Sequence, residues 1–144
     1  MTPPQPPLIS SSVYGPLGIK HLPRLWLKIL LHACGRLPEG YRHGAGGFDE
    51  ALTTALGIDR DAFVAYISDE KPSYLALEAW VRAHATNLTP QAVAKLNAGI
   101  EAALLPEAMR EERFARVGCS DPTYTSAVAL NDLDDWTAIH QLLT

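Results

Sequence analysis

Residues 22–37 carry apolar side chains at three- and four-residue spacing around almost the whole circumference of a helix. Leu22, Leu25, Trp26, Ile29, Leu30, Ala33 and Leu37 share one face, and Leu27, Leu31 and Cys34 widen it. A surface helix shows one apolar stripe, whereas a helix apolar nearly all round must be enclosed by others. The spacing therefore predicts a central helix from His21 or Leu22 to Leu37, with Pro23 tolerated in its first turn and Cys34 as an inert core residue. Only Arg24, Lys28 and His32 leave a polar stripe along it.

A buried helix needs neighbours, and the remaining sequence supplies them with start and stop signals. A helix over Phe48–Leu56 ends at Gly57, and Asp59 caps the next, which carries Phe63, Tyr66 and Ile67. A turn is expected at Ser68–Pro72, after which Ser73 caps a helix bearing Leu77, Trp80, Val81 and His84. Thr89-Pro90 is an N-cap followed by proline at the first helical position, opening a helix with Val93, Leu96, Ile100 and Leu104. Pro106 opens another, closed by Gly118 after Val117. Residues 119–130 read equally as loop or short helix, and Asn131 or Asp132 is expected to cap a last helix through Leu142. Strand-like alternation is absent. The expectation is an all-α, compact single-domain array of six or seven helices over 19–144. Five prolines and three consecutive serines before residue 19 make 1–18 an extended arm packing on the body.

Length and composition fit this picture. A chain of 144 residues can bury a core without metals or disulfides, and an apolar fraction of 47% argues against disorder. Two distant cysteines read as reduced thiols, no signal peptide is evident, and the longest apolar run is too short for a bilayer, so a cytoplasmic protein without membrane partners is expected. The net charge of −4 speaks against nucleic acid. Its distribution is uneven: residues 1–42 balance at +4 and the remainder at −8.

Several constellations can carry chemistry. His21, Arg24, Lys28 and His32 lie at helical spacing, so they line one side of the first helix. In a partly dry cleft such cations bind carboxylate or phosphate; the alternative is a solvated face or a basic segment docked internally on the acidic body. The loop Arg42-His43-Gly44-Ala45-Gly46-Gly47 can turn backbone N–H groups toward an anion, although Asp49 and Glu50 behind it fit a simple helix start as well. Near the C-terminus, Asp132, Asp135, Trp136 and His140 combine acids, an indole and an imidazole. An aspartate orienting a histidine suits proton transfer, while capping of the last helix explains the acids without it. No metal-ligating spacing occurs, so neither a metal nor another cofactor is expected. Glu78 with Arg82 and Glu112 with Arg116 read as surface salt bridges.

Leu22-Pro23-Arg24 with Lys28, Leu37-Pro38 and Tyr41, Phe48-Asp49, Leu56-Gly57-Ile58-Asp59 and Trp80 fall in an order that resembles a bacterial family known only as domain of unknown function 5069. The resemblance spans roughly residues 15–85. Where many relatives carry an acid before the lysine, this chain has Leu27. The resemblance implies a small helical protein and draws attention to Arg24 and Lys28; it implies no activity.

Two functional expectations follow. One is a binder of a small anionic or polar metabolite, or a cofactor-free enzyme, with an interhelical pocket. Arg24, Lys28, His32 and Trp136 would hold the ligand there, and His43, His140, Tyr41 and Asp135 would serve acid–base chemistry. The other is a non-catalytic interaction module, with a second copy of the chain as one candidate partner.

Overall fold

The computed structural model describes residues 2–144 and contains seven helices in chain order: α1 (Leu22–Ala33), α2 (Gly47–Ala55), α3 (Arg60–Glu70), α4 (Tyr74–His84), α5 (Pro90–Ala102), α6 (Glu107–Val117) and α7 (Ala127–Leu143). The domain is all-α. Among the described residues the only strand-like pairing is an isolated bridge between Leu104 and Ser126. No helix among them is long and apolar enough to cross a membrane.

The core forms where the apolar faces of α1 to α5 converge. Leu22, Leu25, Ile29, Leu52, Phe63, Ile67, Leu77 and Val81 are fully enclosed, and Ile100 nearly so. Burying one such side chain contributes about 1.5–3 kcal/mol, so this convergence is what holds the short helices together. Helix α1 packs chiefly on α3, α2 on α5, and α6 on α7. Phe63 and Tyr66 meet Trp80 edge-on and face-on respectively, and Trp80 also stacks on His84.

Most caps lie where the sequence puts them. Asp59, Ser73 and Thr89 each accept a hydrogen bond from the backbone N–H three residues on. Several expectations need correction. Helix α5 ends at Ala102, so Leu104 lies beyond it and is exposed rather than buried. Helix α1 stops at Ala33 rather than Leu37, because Gly35 adopts a left-handed φ of 68° that turns the chain away. Cys34 therefore caps the helix end and is exposed, not a core residue. Helix α3 continues through Ser68 to Glu70, so the turn there is shorter than the sequence suggests.

The last helix begins earlier than its acidic run implies. Leu105 N–H donates to Thr125 O and Ala127 N–H to Ala103 O, which pins Ser126 beside the end of α5. There the Ser126 hydroxyl caps α7 by accepting from Ala129 N–H. Asp132 and Asp135 consequently sit inside the helix and cap nothing. Finally, Glu78 is no surface partner of Arg82. It is buried and accepts from Tyr74 Oη at 2.7 Å and from Leu17 N–H at 3.3 Å, fastening the chain just before α1.

The N-terminal arm runs over α1 and α7 by polar contacts. Arg36 donates to Gln5 Oε1, Gln5 N–H donates to Arg36 O, and Ser10 Oγ donates to Asp132 Oδ2. Pro6 and Pro7 are buried, while Leu8, Val13 and Tyr14 project outward.

Candidate functional site

Of the polar stripe of α1 only His32 faces water; Arg24 and Lys28 face neither water nor an empty cleft. Arg24 and Lys28 are only 4% and 5% exposed, and both are neutralised by carboxylates of the chain itself. The Arg24 guanidinium grips Asp135 of α7 with two nitrogens, and its Nη1 also donates to Pro7 O at 2.9 Å and Ile9 O at 2.8 Å. Tyr41 Oη donates to the same Asp135 at 2.9 Å. Arginine's planar fork suits such a buried bidentate pair, because Nη1 and Nη2 each reach a different carboxylate oxygen.

One turn along α1, Lys28 Nζ donates to both oxygens of Asp49, at 2.7 and 2.9 Å. His21 Nε2 lies 2.7 Å from Asp49 Oδ1, and Gly44 N–H donates to Oδ2 at 3.0 Å. Burial pushes the Asp49 carboxyl up, but the His21 hydrogen bond and the Lys28 charge outweigh it and bring its pKa down to about 2. Burial lowers the His21 pKa despite Asp49, so the ring is neutral near pH 7. A neutral ring must donate from Nε2 to the acceptor-only carboxylate, leaving Nδ1 to accept from the Ser11 hydroxyl at 2.8 Å. Burial likewise lowers the Lys28 pKa against the pull of Asp49.

Ser11, His21 and Asp49 thus stand in the order used by base-activated nucleophiles. Ser11 is fully buried, so no carbonyl can approach its oxygen from outside. The line ties the arm to the body. His21 holds this place with a left-handed φ of 73°, strained for a residue with a side chain.

Between the two buried acids the chain comes to the surface. Tyr41 is held by Asp135 and Gly44 by Asp49, and the two residues between them, Arg42 and His43, are exposed. Only glycine fits at 44, where φ is 135° and a Cβ would lie 2.9 Å from Val64 Cγ2. The His43 ring stacks on His32 with centroids 3.6 Å apart, fixing its orientation. Arg42 lies across Gly46 and Gly47 at the start of α2, and a Cβ on Gly47 would collide with its Nη1. Among the described residues Arg42 enters no ion pair.

This loop and α3 enclose an open cavity of about 520 Å³, lined by Tyr41, Arg42, His43, Arg60, Asp61 and Val64 among others. Arg60 is shared with Glu50, at 2.9 Å, and with Asp61. A second hollow of about 350 Å³ lies on the Glu50 side of Arg60. Its acids are a helix cap (Asp59) and partners of Arg60, which leaves it nothing to offer an anion.

The residues singled out by sequence therefore separate into three places. Arg24, Tyr41 and Asp135 meet in one buried cluster, with Lys28 beside it at Asp49. Burial and Asp135 push the Tyr41 phenol well above its ordinary range, so it acts as a fixed donor. His32 stacks on His43, and of the two only His43 lines the cavity. Trp136 and His140 are exposed on α7, the indole 56% accessible, and lie apart from both. Sequence reasoning passed over Arg42 as a site residue and read Asp49 as a helix-start acid; the glycines beside them were the available signal. Among the described residues no cluster could hold a metal ion.

No curated protein matches the chain at a significant level. The family described as Domain of unknown function (DUF5069) matches residues 9–137, a span reaching from the arm through the buried Asp135 into α7. The chain belongs to this family.

Proposed function

We propose that the chain binds a small organic anion in the cavity between the Tyr41–Gly44 loop and α3. The observation that carries this reading is Arg42, a guanidinium with no carboxylate partner among the described residues, laid over the start of a helix at the cavity. Arg42 lies at the positive end of α2, a place that favours an anion over another cation. The two acids of the first turn of α2 do not serve Arg42, since Asp49 is committed inward and Glu50 pairs with Arg60. Val64 and Ala65 of α3 supply an apolar wall, so the fitting ligand has a charged head and a short apolar body. His43, oriented by His32, stands where it can donate to that head or exchange a proton with it.

Amide NMR titration of the full chain with benzoate, and separately with inorganic phosphate, tests the reading. The expected shifts centre on Arg42–Ala45 and Val64, and Arg42→Ala weakens binding about tenfold or more. Shifts scattered over the surface, or a titration indifferent to Arg42→Ala, would overturn it.

A second reading, an interaction module, is favoured by the exposed apolar residues on the outer half of α7, where Trp136 and Leu143 lie two turns apart. Concentration-dependent sedimentation that Trp136→Ser abolishes would support this one instead.

A further inference from the structure

We infer that the N-terminal arm is a positioning strap for the cavity loop, and that the site is incomplete unless residues 7–11 are docked. The inference rests on the proposed site but is carried by different observations. Two buried chains of hydrogen bonds run in parallel from arm to loop. In the first, the carbonyls of Pro7 and Ile9 accept from Arg24, which holds Asp135, which accepts from Tyr41 Oη. In the second, the Ser11 hydroxyl meets His21 Nδ1, His21 Nε2 meets Asp49, and Asp49 accepts from Gly44 N–H. Each chain ends on one of the two residues that flank Arg42 and His43.

The arm is thus the far anchor of both ends of the loop. Arg24 fills part of its donor capacity with arm carbonyls, and an undocked arm would leave that guanidinium free to turn within its cluster. An undocked Ser11 leaves His21 Nδ1 without its donor in a buried site, so the ring loses one of the two contacts that orient it toward Asp49. Pro6 and Pro7 are buried while Leu8, Val13 and Tyr14 point outward, so apolar contact holds the arm only in part and the hydrogen bonds of residues 7–11 fix its position. Ser11, His21, Asp49 and Asp135 are positioning residues; none of them reaches the cavity.

Hydrogen exchange on the full-length chain separates positioning from simple stability. In Ser11→Ala the Gly44 amide is expected to exchange about tenfold faster, while the Ala85 amide, bonded to Val81 O in α4, changes much less. Tyr41→Phe tests the other chain from its loop end and covers the case in which Ser11→Ala does not fold. It is expected to speed exchange of the Gln5 amide, which donates to Arg36 O, with Ala85 again little changed. Equal acceleration at Gly44 and Ala85 in Ser11→Ala, or no acceleration of Gln5 in Tyr41→Phe, would overturn the inference. Benzoate affinity is a separate readout. If the amides respond as expected while neither variant nor parent binds benzoate or phosphate, the strap stands and the proposed ligand site falls. If the parent binds benzoate and Ser11→Ala changes neither the Gly44 amide nor the affinity, the site stands and the strap falls.

Discussion

Asp134 and Asp135 are consecutive residues of α7, and each is held by an arginine fork. Asp135 binds Arg24 with both side chains almost completely buried, whereas Asp134 binds Arg116, which is 50% exposed, and Arg113. The same chemistry has opposite weight on the two sides of the helix. On the outer side Arg116 is half open to water and salt, which weakens its share, while Arg113 and Asp134, 14% and 18% exposed, are only partly hydrated. On the inner side each charge has lost its hydration, so removing either partner leaves an ion that nothing else can neutralise. A buried pair is therefore a poor source of net stability and a strong constraint on geometry.

The comparison can be broken most directly at Asp135. Asp135→Ala is expected to cost about 3–5 kcal/mol in urea unfolding, because Arg24 is left buried with only carbonyl partners. A loss below about 1 kcal/mol would mean that water enters the cluster freely.

Acid should sharpen it next. The His21 pKa is lowered on folding, so below its ordinary value of 6.5 the unfolded chain binds the extra proton and stability falls with pH. Asp49 has its pKa lowered from 3.8 to about 2, so its contribution is complete above about pH 4 and disappears as pH falls toward 2. The Asp49 part amounts to about 2 kcal/mol. Urea midpoints measured from pH 7 to 3 should decline throughout, and Asp49→Asn should flatten the lowest part. A midpoint that rises on acidification would contradict both assignments.

The smallest effect belongs to the outer pair. Asp134→Ala is expected to cost about 1–2 kcal/mol, because Arg113 keeps Asn131 Oδ1 and Arg116 keeps Glu112, and the Arg116 share should shrink in high salt. A cost comparable to that of Asp135→Ala would erase the distinction between the two faces of α7.

Much of the fold was legible because helices announce themselves locally. Thr89-Pro90, Ser73 and Asp59 act within three residues of themselves, and the apolar periodicity of α1 foretold its enclosure. Most of the differences share a cause: they are decided by distant partners. Asp135 resembled a helix-start acid because acids favour that position, yet its place is set by Arg24, 111 residues away in sequence. Glu78 suggested a pairing with Arg82 four residues on, but burial against Tyr74 and the Leu17 backbone took it elsewhere. Cys34 was misplaced for a local reason, the reversal at Gly35. At the candidate site, the cationic stripe and the glycine loop were visible as anion-seeking features. Internal docking of the basic segment on the acidic body was legible too, but not that Asp49 and Asp135 are the partners or that Arg42 beside them enters no ion pair among the described residues.

His21 shows how local comfort and long-range wiring can pull in opposite directions. Its backbone geometry suits a residue lacking a Cβ, and its nearest neighbours in sequence give no reason for an imidazole there. A redesign guided by torsion statistics alone would install glycine at 21 and relax that link of the chain. In doing so it would cut the bond path from Ser11 to Asp49, and the improved backbone would belong to a protein with a looser grip on its own first residues.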